Sequence, residues 1–244
     1  MKEKQIATTP DLTLVNKELS DALLIFQNAL FSSGSLLQAF ELARKNRGKS
    51  RGGTTDQEQD ILRAMLVMAC AGLDAGLKQV IKDALPFLVK VNAGAQTGLE
   101  TFVERQIRGE ETDFGSNAKY LAKVLASSSP YTRVIDSYIN ALTGDSLQSA
   151  DQLFKVATAL GLDPNALGLD KKLLRPIFVA RNQIIHELDI DLDGERRTRI
   201  IRGIDEMIEW TDRILELTKQ IIETVDKMMP RPNQRKHRTR FPRR

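Results

Sequence analysis

Apolar residues recur along most of this chain at the three- and four-residue spacing of a helix, and no segment alternates as a strand would. One such stripe covers residues 16–43, where "SSGS" at 32–35 predicts a break between two helices. Thr55 and Glu58 have the spacing of a capping box, so a long helix is predicted to begin there and to kink or end at Pro86. The pattern predicts an all-α fold.

The second half of the chain continues the pattern in shorter segments. A loop is predicted at "GEETDFG", residues 109–115, and a Ser-Pro pair predicts a helix start at 129–130. The predicted helices cover about 97–107, 116–127, 129–144, 146–161, 171–188 and 195–228.

The last predicted helix carries an apolar seam with strict seven-residue spacing. Its members are Ile201, Ile208, Leu215, Ile222 and Met229, with Ile204, Thr211, Thr218 and Val225 at the intermediate positions. Such a seam packs along another helix, either within the chain or across a dimer interface. Packing within the same chain is the more common arrangement.

The composition agrees with a helical protein that builds its own core. Of the 244 residues, 41% are hydrophobic and only 5% aromatic, and glycine and proline are scarce. The single cysteine, Cys70, lies in an apolar run and is predicted to be inert core. The N-terminal sequence has no apolar signal core, and the run around Cys70 is too short to span a bilayer. We therefore expect a cytoplasmic protein without a membrane segment.

The positive charge is concentrated at the C-terminus. The tail "RPNQRKHRTRFPRR" holds seven basic residues and no acid, so without it the net charge of +4 becomes −3. A tail of this kind is typically disordered and attracted to phosphates, with Arg235, Lys236, Arg238 and Arg240 as candidate RNA contacts. It is equally explained as a solubilising appendage or an expression remnant. We divide the chain into N-terminal helices and a basic loop (1–55), a helical domain (56–229) and the tail (230–244).

The stretch "FVARNQIIHELDID", residues 178–191, contains one of only two histidines. On a helix Asn182 and His186, four apart, lie on one face. Arg181 is about 140° round the helix from His186, so the two meet only if the arginine reaches round or a second copy of the helix supplies it. A homodimer is therefore physically attractive.

These residue types suit RNA cleavage without a metal or cofactor. An imidazole can take a proton from a ribose 2′-hydroxyl or give one to the leaving oxygen near neutral pH. A guanidinium can pair with the phosphate and stabilise its developing charge, and an amide can orient the imidazole or hold an oxygen of the substrate. A lone helical histidine is, however, more often a surface or core group than a catalyst.

The motif "ARNQIIHE" resembles the Arg–polar–x–x–x–His motif of HEPN domains, and the region before it is similar to the HEPN group of RiboL-PSP-type proteins. "ILRAMLVMACAGLDAGLKQVI" is similar to the HEPN helix that carries an arginine and later an acid, here Arg63 and Asp74. Asp74 departs from the more usual glutamate and is equally explained as a surface partner of Lys78. Residues 1–55 and the tail have no assigned counterpart in the family.

The resemblance implies a dimerising helical bundle in which paired motifs line one cleft. It implies a metal-independent endoribonuclease that leaves a 2′,3′-cyclic phosphate, with His186 as acid/base group, Arg181 as phosphate stabiliser and Asn182 as orienting amide. Arg63 and Asp74 would support the cleft. Family members often act as toxins or antiviral effectors, so an antitoxin or regulatory protein is a candidate partner. The alternatives are a non-catalytic HEPN module that binds RNA or a partner protein, and a dimeric helical scaffold.

Other chemistries are disfavoured by the sequence. "DIDLDGERRTRI" matches the first positions of an EF-hand, but Ile200 stands where a bidentate glutamate is needed. We interpret Asp189, Asp191 and Asp193 as a solvated turn between two helices. No zinc spacing or phosphate-binding loop is present, and we expect no metal and no cofactor.

Overall fold

The computed structural model describes residues 12–48, 52–108, 114–195 and 197–231, and only the backbone of 114–117. Eight α-helices and no strand occur in these ranges, which confirms the all-α class. After a single 3-10 turn the helices are α1 (Ser20–Asn46), α2 (Asp56–Val91), α3 (Ala93–Arg108), α4 (Phe114–Leu125), α5 (Pro130–Thr143), α6 (Ala150–Ala159), α7 (Lys171–Glu187) and α8 (Ile204–Met228).

Helix α1 is continuous, so the break predicted at residues 32–35 is wrong. Ser33 is buried and continues the stripe of Ala29 and Leu37, one turn away on either side. This face packs on α2. Burial of the stripe against a neighbouring helix outweighs the poor helix propensity of serine and glycine, which is a local and weaker effect.

Helix α2 is the centre of the fold, with α1, α3, α5, α7 and α8 packed around it. The predicted capping box is confirmed: Thr55 Oγ1 accepts from the Glu58 backbone N–H at 3.2 Å, and Glu58 Oε2 accepts from the Thr55 N–H at 3.0 Å. The helix continues past Pro86 to Val91, so it does not end at the proline.

One hydrophobic core crosses the boundary predicted between residues 55 and 56. It includes Phe26 and Phe40 of α1 together with the buried faces of α2 and α8. The N-terminal segment is also tied to α8, because the buried Asp226 carboxylate accepts the backbone N–H groups of Val15 and Asn16 at 2.9 Å each. The N-terminal helix thus shares its core with the rest of the bundle.

Helix α8 begins at Ile204, nine residues later than the predicted start at 195. The seam is confirmed as core packing within the chain, since Ile208, Leu215 and Ile222 are buried. Ile201, its first predicted member, lies outside the helix and is 80% exposed. The residues directly before α8 are extended instead of helical. They pair with the segment that follows α7 through an isolated antiparallel β-bridge between Ile190 and Arg199.

The short helices match their predictions in number but not in all bounds. Helix α3 begins four residues early because the Asn92 side chain caps it, accepting from the Ala95 N–H at 2.8 Å. Phe114 and Gly115, predicted as loop, lie in α4, while 109–113 are outside the described residues. Helix α5 begins at the predicted Ser-Pro pair, with Pro130 in its first turn.

Two helical stretches, Lys17–Asn46 and Asp56–Val91, are long and apolar enough to span a membrane by length and composition. The core helices of soluble proteins satisfy the same criterion, and 56% of the apolar window in the second stretch is buried inside the protein. The criterion alone therefore assigns neither helix to a membrane.

Candidate functional site

Helix α7 carries the three motif residues and packs against α2 and α6. Asp170 caps its first turn, accepting from the Lys172 N–H at 2.7 Å. The helix ends at Glu187. The next residue, Leu188, adopts a left-handed conformation with φ of 52°, and Asp189 follows with φ of 59°. Two consecutive residues other than glycine in this region are strained, so other contacts must hold them there.

The motif residues divide between two sides of α7. Asn182 and His186 are exposed, as their four-residue spacing predicts, whereas Arg181 is half-buried. The Arg181 guanidinium turns back toward the exposed side, because its Nη1 donates to Asn182 Oδ1 at 2.9 Å. Its Nε is buried and has no hydrogen-bond partner within the described part of the chain. The arginine therefore bridges the buried and exposed sides of the helix.

Arg181 lies close enough to α2 to act on Cys70. Burial raises the pKa of this thiol to about 12, and the positive charge of Arg181 opposes that rise. The thiol stays protonated near neutral pH, so the prediction that Cys70 is buried core is confirmed. The backbone carbonyl of Cys70 accepts a hydrogen bond from the buried Gln148 side chain at 3.3 Å.

His186 presents its imidazole to solvent in the last turn of α7. Within the described residues it forms no hydrogen bond or ion pair, so both ring nitrogens can reach a ligand. An exposed imidazole can exchange protons with a substrate, and the amide of Asn182 lies one turn earlier on the same face. Together with the Arg181 guanidinium, these groups can bind an anion and transfer a proton.

A buried ionic cluster, which we call the Asp189 network, fixes the chain directly after His186. Asp189 is fully buried, and its carboxylate accepts from Arg63 Nε of α2 at 2.8 Å and from Arg202 Nη2 at 2.6 Å. Arg202 Nη2 also donates to the Gln183 side chain of α7 at 2.8 Å. The network thereby joins α2, the end of α7 and the segment before α8.

The outer part of the network is more exposed. Asp60 of α2 accepts from Arg199 at 2.6 Å and from Arg63 at 3.1 Å. The hydrogen bond from Arg199 is the largest influence on Asp60, and the net result is a lowered carboxyl pKa. For Asp189 burial raises the pKa, but the hydrogen bonds from Arg202 and Arg63 outweigh it and the net pKa is lowered. Both acids therefore stay ionised near neutral pH.

The interpretation of the acidic loop as a solvated turn is only half right. Asp191 and Asp193 are exposed, and Asp191 Oδ1 accepts from the Gly194 N–H at 3.0 Å as in a tight turn. Asp189, in contrast, is buried because two arginines neutralise it. Among the described residues no group of three or more His, Cys, Asp or Glu side chains could hold a metal ion.

Arg63 and Asp74, the two residues predicted to support the cleft, form their hydrogen bonds with groups other than the three motif residues. The buried Arg63 guanidinium is committed to Asp189, Asp60 and the carbonyl of Ile200, which accepts at 2.7 Å. Asp74 accepts from Lys78 at 3.1 Å, which confirms the surface-partner explanation, and from the Leu147 N–H at 2.6 Å. The candidate RNA-binding residues Arg235, Lys236, Arg238 and Arg240 lie outside the described residues.

Asn182 and His186 lie on an open surface, with the half-buried Arg181 beside them. Five cavities between the described helices are lined by other residues. The largest of these five, of about 1020 Å³, lies between α3, α5 and α6 and is lined by polar and aromatic side chains such as Thr101, Phe102 and Tyr138. Asn182 and His186 thus lie exposed at the surface of the described chain, outside these five cavities.

Sequence reasoning missed Asp189, Gln183 and Arg202 as members of one network. The available signal was the excess of arginines after an acidic loop, but it did not indicate which acid is buried. Comparison with known protein families, with characterised proteins and with solved structures found no match to this chain. The HEPN interpretation accordingly stands on the motif and the helix pattern alone.

Proposed function

We propose that the protein is a metal-independent endoribonuclease of HEPN type. The observation that carries the proposal is the arrangement on α7: Asn182 and His186 are exposed on one face, and the Arg181 guanidinium is hydrogen-bonded to the Asn182 side chain beside them. Cleavage by 2′-hydroxyl attack on the adjacent phosphate needs a group that carries a proton from the 2′-hydroxyl to the leaving oxygen, and a cation at the phosphate. The His186 imidazole and the Arg181 guanidinium are groups of these two kinds.

In this proposal each residue has one role. His186 accepts the proton of the ribose 2′-hydroxyl and passes it to the 5′-oxygen as that oxygen leaves. Arg181 neutralises charge that develops on the phosphate, and Asn182 orients the guanidinium through its side-chain oxygen. The bond from phosphorus to the 5′-oxygen breaks as the 2′-oxygen attacks. The products are a 2′,3′-cyclic phosphate and a 5′-hydroxyl.

The open surface around the motif supports a role for a second protomer. RNA cleavage benefits from groups that approach the phosphate from two sides. A homodimer that apposed two copies of α7 would bring His186 of one chain toward Arg181 of the other, and it would enclose a site that a single chain leaves open. The biological context proposed is that of a toxin or antiviral effector, with an antitoxin or regulatory partner.

The test is cleavage of RNA in the presence of EDTA. We expect the purified protein to cut, and His186→Ala to reduce the rate about a hundred-fold or more while keeping the same thermal unfolding transition. Glu187→Ala, which changes the exposed neighbour of His186, serves as the matched control and should cut normally. Dependence on a divalent metal, or full activity of the His186 variant, would contradict the proposal.

A second candidate function is a non-catalytic module that binds RNA or a partner protein. The observation that favours it is the same open surface, flanked by the exposed apolar residues Ile185 and Leu188, because such a face suits docking as well as catalysis. This candidate predicts RNA binding with a steep salt dependence, lost on deletion of residues 230–244, and no cleavage.

A further inference from the structure

The outer face of α1 carries an unusual row of exposed apolar side chains. Phe31 is 75% exposed, and Leu24 and Leu42 are each 57% exposed. At 100° per residue these three point within about 20° of one another, along about 27 Å of helix. They lie opposite the buried stripe that packs on α2. Aligned large apolar residues on a surface mark an interaction site more often than scattered ones do.

The row has a symmetric spacing along the helix. Leu24 and Leu42 are equally far from Ser33, nine residues to either side. Phe31 lies two residues to one side of this centre, and the small exposed Ser35 lies two residues to the other. An antiparallel copy of α1 centred at the same point therefore places Leu24 level with Leu42, and Phe31 level with Ser35, which leaves room for both phenylalanine rings.

The charges at the two ends of α1 are of opposite sign. Asp21 lies in the first turn, and Arg44 and Lys45 lie in the last turn. The first end is locally negative: the pKa of the neighbouring Asp83 is raised, first by burial and also by the charges of Asp21 and Glu18, while Lys82 opposes the rise. An antiparallel partner brings Lys45 to the level of Asp21, and the helix dipoles also favour this direction.

We propose that the outer face of α1 pairs with the same face of a second copy of this chain, with the two helices antiparallel. The contact is isologous, so each half supplies one acidic and one basic end, and this contact joins two copies whether or not α7 is also apposed. Phe31 lies near the two-fold axis, where an aromatic residue contributes most to binding. The inference does not rest on the ribonuclease proposal, because its observations concern α1 and the proposal concerns side chains of α7.

The first test measures mass in solution over a range of concentrations. We expect the mass of wild-type protein to rise with concentration to at least twice the chain mass of 27.4 kDa. Phe31→Glu should weaken association at least about thirty-fold. Leu125→Glu is the matched control, because Leu125 in α4 is also 75% exposed, and it should dimerise like wild type. A wild-type monomer at every concentration, or a Phe31 variant that associates as tightly as wild type, would overturn the proposal.

The second test fixes the direction of the helices. Leu24→Cys and Leu42→Cys are prepared separately, mixed and oxidised. An antiparallel contact predicts a disulfide-linked dimer in the mixture and little in either protein alone, because two copies of residue 24 are then about 27 Å apart. The native Cys70 is buried and should not interfere. Cross-linking of the Leu24 variant with itself would contradict the antiparallel arrangement.

A membrane is the competing occupant of this apolar face. Sedimentation with vesicles of mixed neutral and anionic lipids distinguishes the two. Wild-type protein should stay in the supernatant. Vesicle binding that Phe31→Glu abolishes and Leu125→Glu retains would overturn the dimer in favour of a lipid surface.

Discussion

Helix α2 is held on two sides by contacts of different kinds. On the side of α1 it presents small and apolar residues, and Gly72 lies so close to Ala29 that no side chain fits between them. On the side of the α7–α8 connection it presents Arg63, whose guanidinium meets the buried carboxylate of Asp189. The first contact depends on shape, and the second depends on charge.

The difference decides what each contact requires of the sequence. An apolar helix pair tolerates many combinations of side chains that fill the same volume, and it is insensitive to pH. A buried ion pair requires both partners at once, because either one alone is a buried unpaired charge. The candidate site on α7 directly adjoins the charged contact. The geometry of the site therefore depends on the contact that tolerates fewer substitutions.

The largest expected effect is the loss of Asp189. Asp189→Ala leaves Arg63 and Arg202 without their shared carboxylate, and we expect the free energy of unfolding to fall by about 3–5 kcal/mol. Denaturant unfolding measures this change. Asp193→Ala, in the exposed part of the same loop, should change it by less than about 0.5 kcal/mol. Equal effects of the two substitutions would show that the charged contact does not stabilise α7.

The apolar side is tested by a pair of glycines. Gly72→Ala places a Cβ against the Cβ of Ala29, and we expect a loss of about 1–3 kcal/mol as α1 moves away. Gly34→Ala adds the same methyl group to α1 where nothing lies within 4 Å, and it should stabilise the helix by up to about 1 kcal/mol. Denaturant unfolding of both variants should therefore show changes of opposite sign in the free energy of unfolding.

Acid should weaken the charged side selectively. The pKa values of Asp189 and Asp60 are lowered in the folded chain. Their stabilisation is therefore complete above the unfolded value of about 3.9 and is lost as the pH falls through the lower folded values. The free energy of unfolding of wild type should decline below about pH 4 more steeply than that of Asp189→Asn. Parallel pH profiles for the two proteins would contradict this explanation.

The smallest expected effect is at the solvent-exposed edge of the network. Arg199→Gln removes a cation from the half-exposed Asp60, and pairs of this kind contribute about 1 kcal/mol or less. The small difference from wild type should shrink further in high salt, because salt screens exposed charges. An effect as large as that of Asp189→Ala would mean that Arg199 holds the network together.

The sequence predicted the helices better than it predicted what joins them. The capping box at Thr55 could be recognised because it is a short local motif, and the seam through Leu215 because it is periodic. The break at residues 32–35 was predicted wrongly, since helix propensity is weak against the burial of Ser33 in a helix contact. The start of α8 was placed too early, because the Asp189 network holds Arg202 in an extended segment.

The candidate site shows the same division. The spacing of Asn182 and His186 predicted a shared exposed face, which the structure confirms. The half-burial of Arg181 and of its Nε depends on how α7 packs against its neighbours, which no local pattern specifies. The sequence by itself determined an all-α chain and the composition of the motif. Only the tertiary structure decided that Asp189 is buried and that Arg63 is its partner, because 126 residues separate the two and their pairing exists only when α7 is packed on α2.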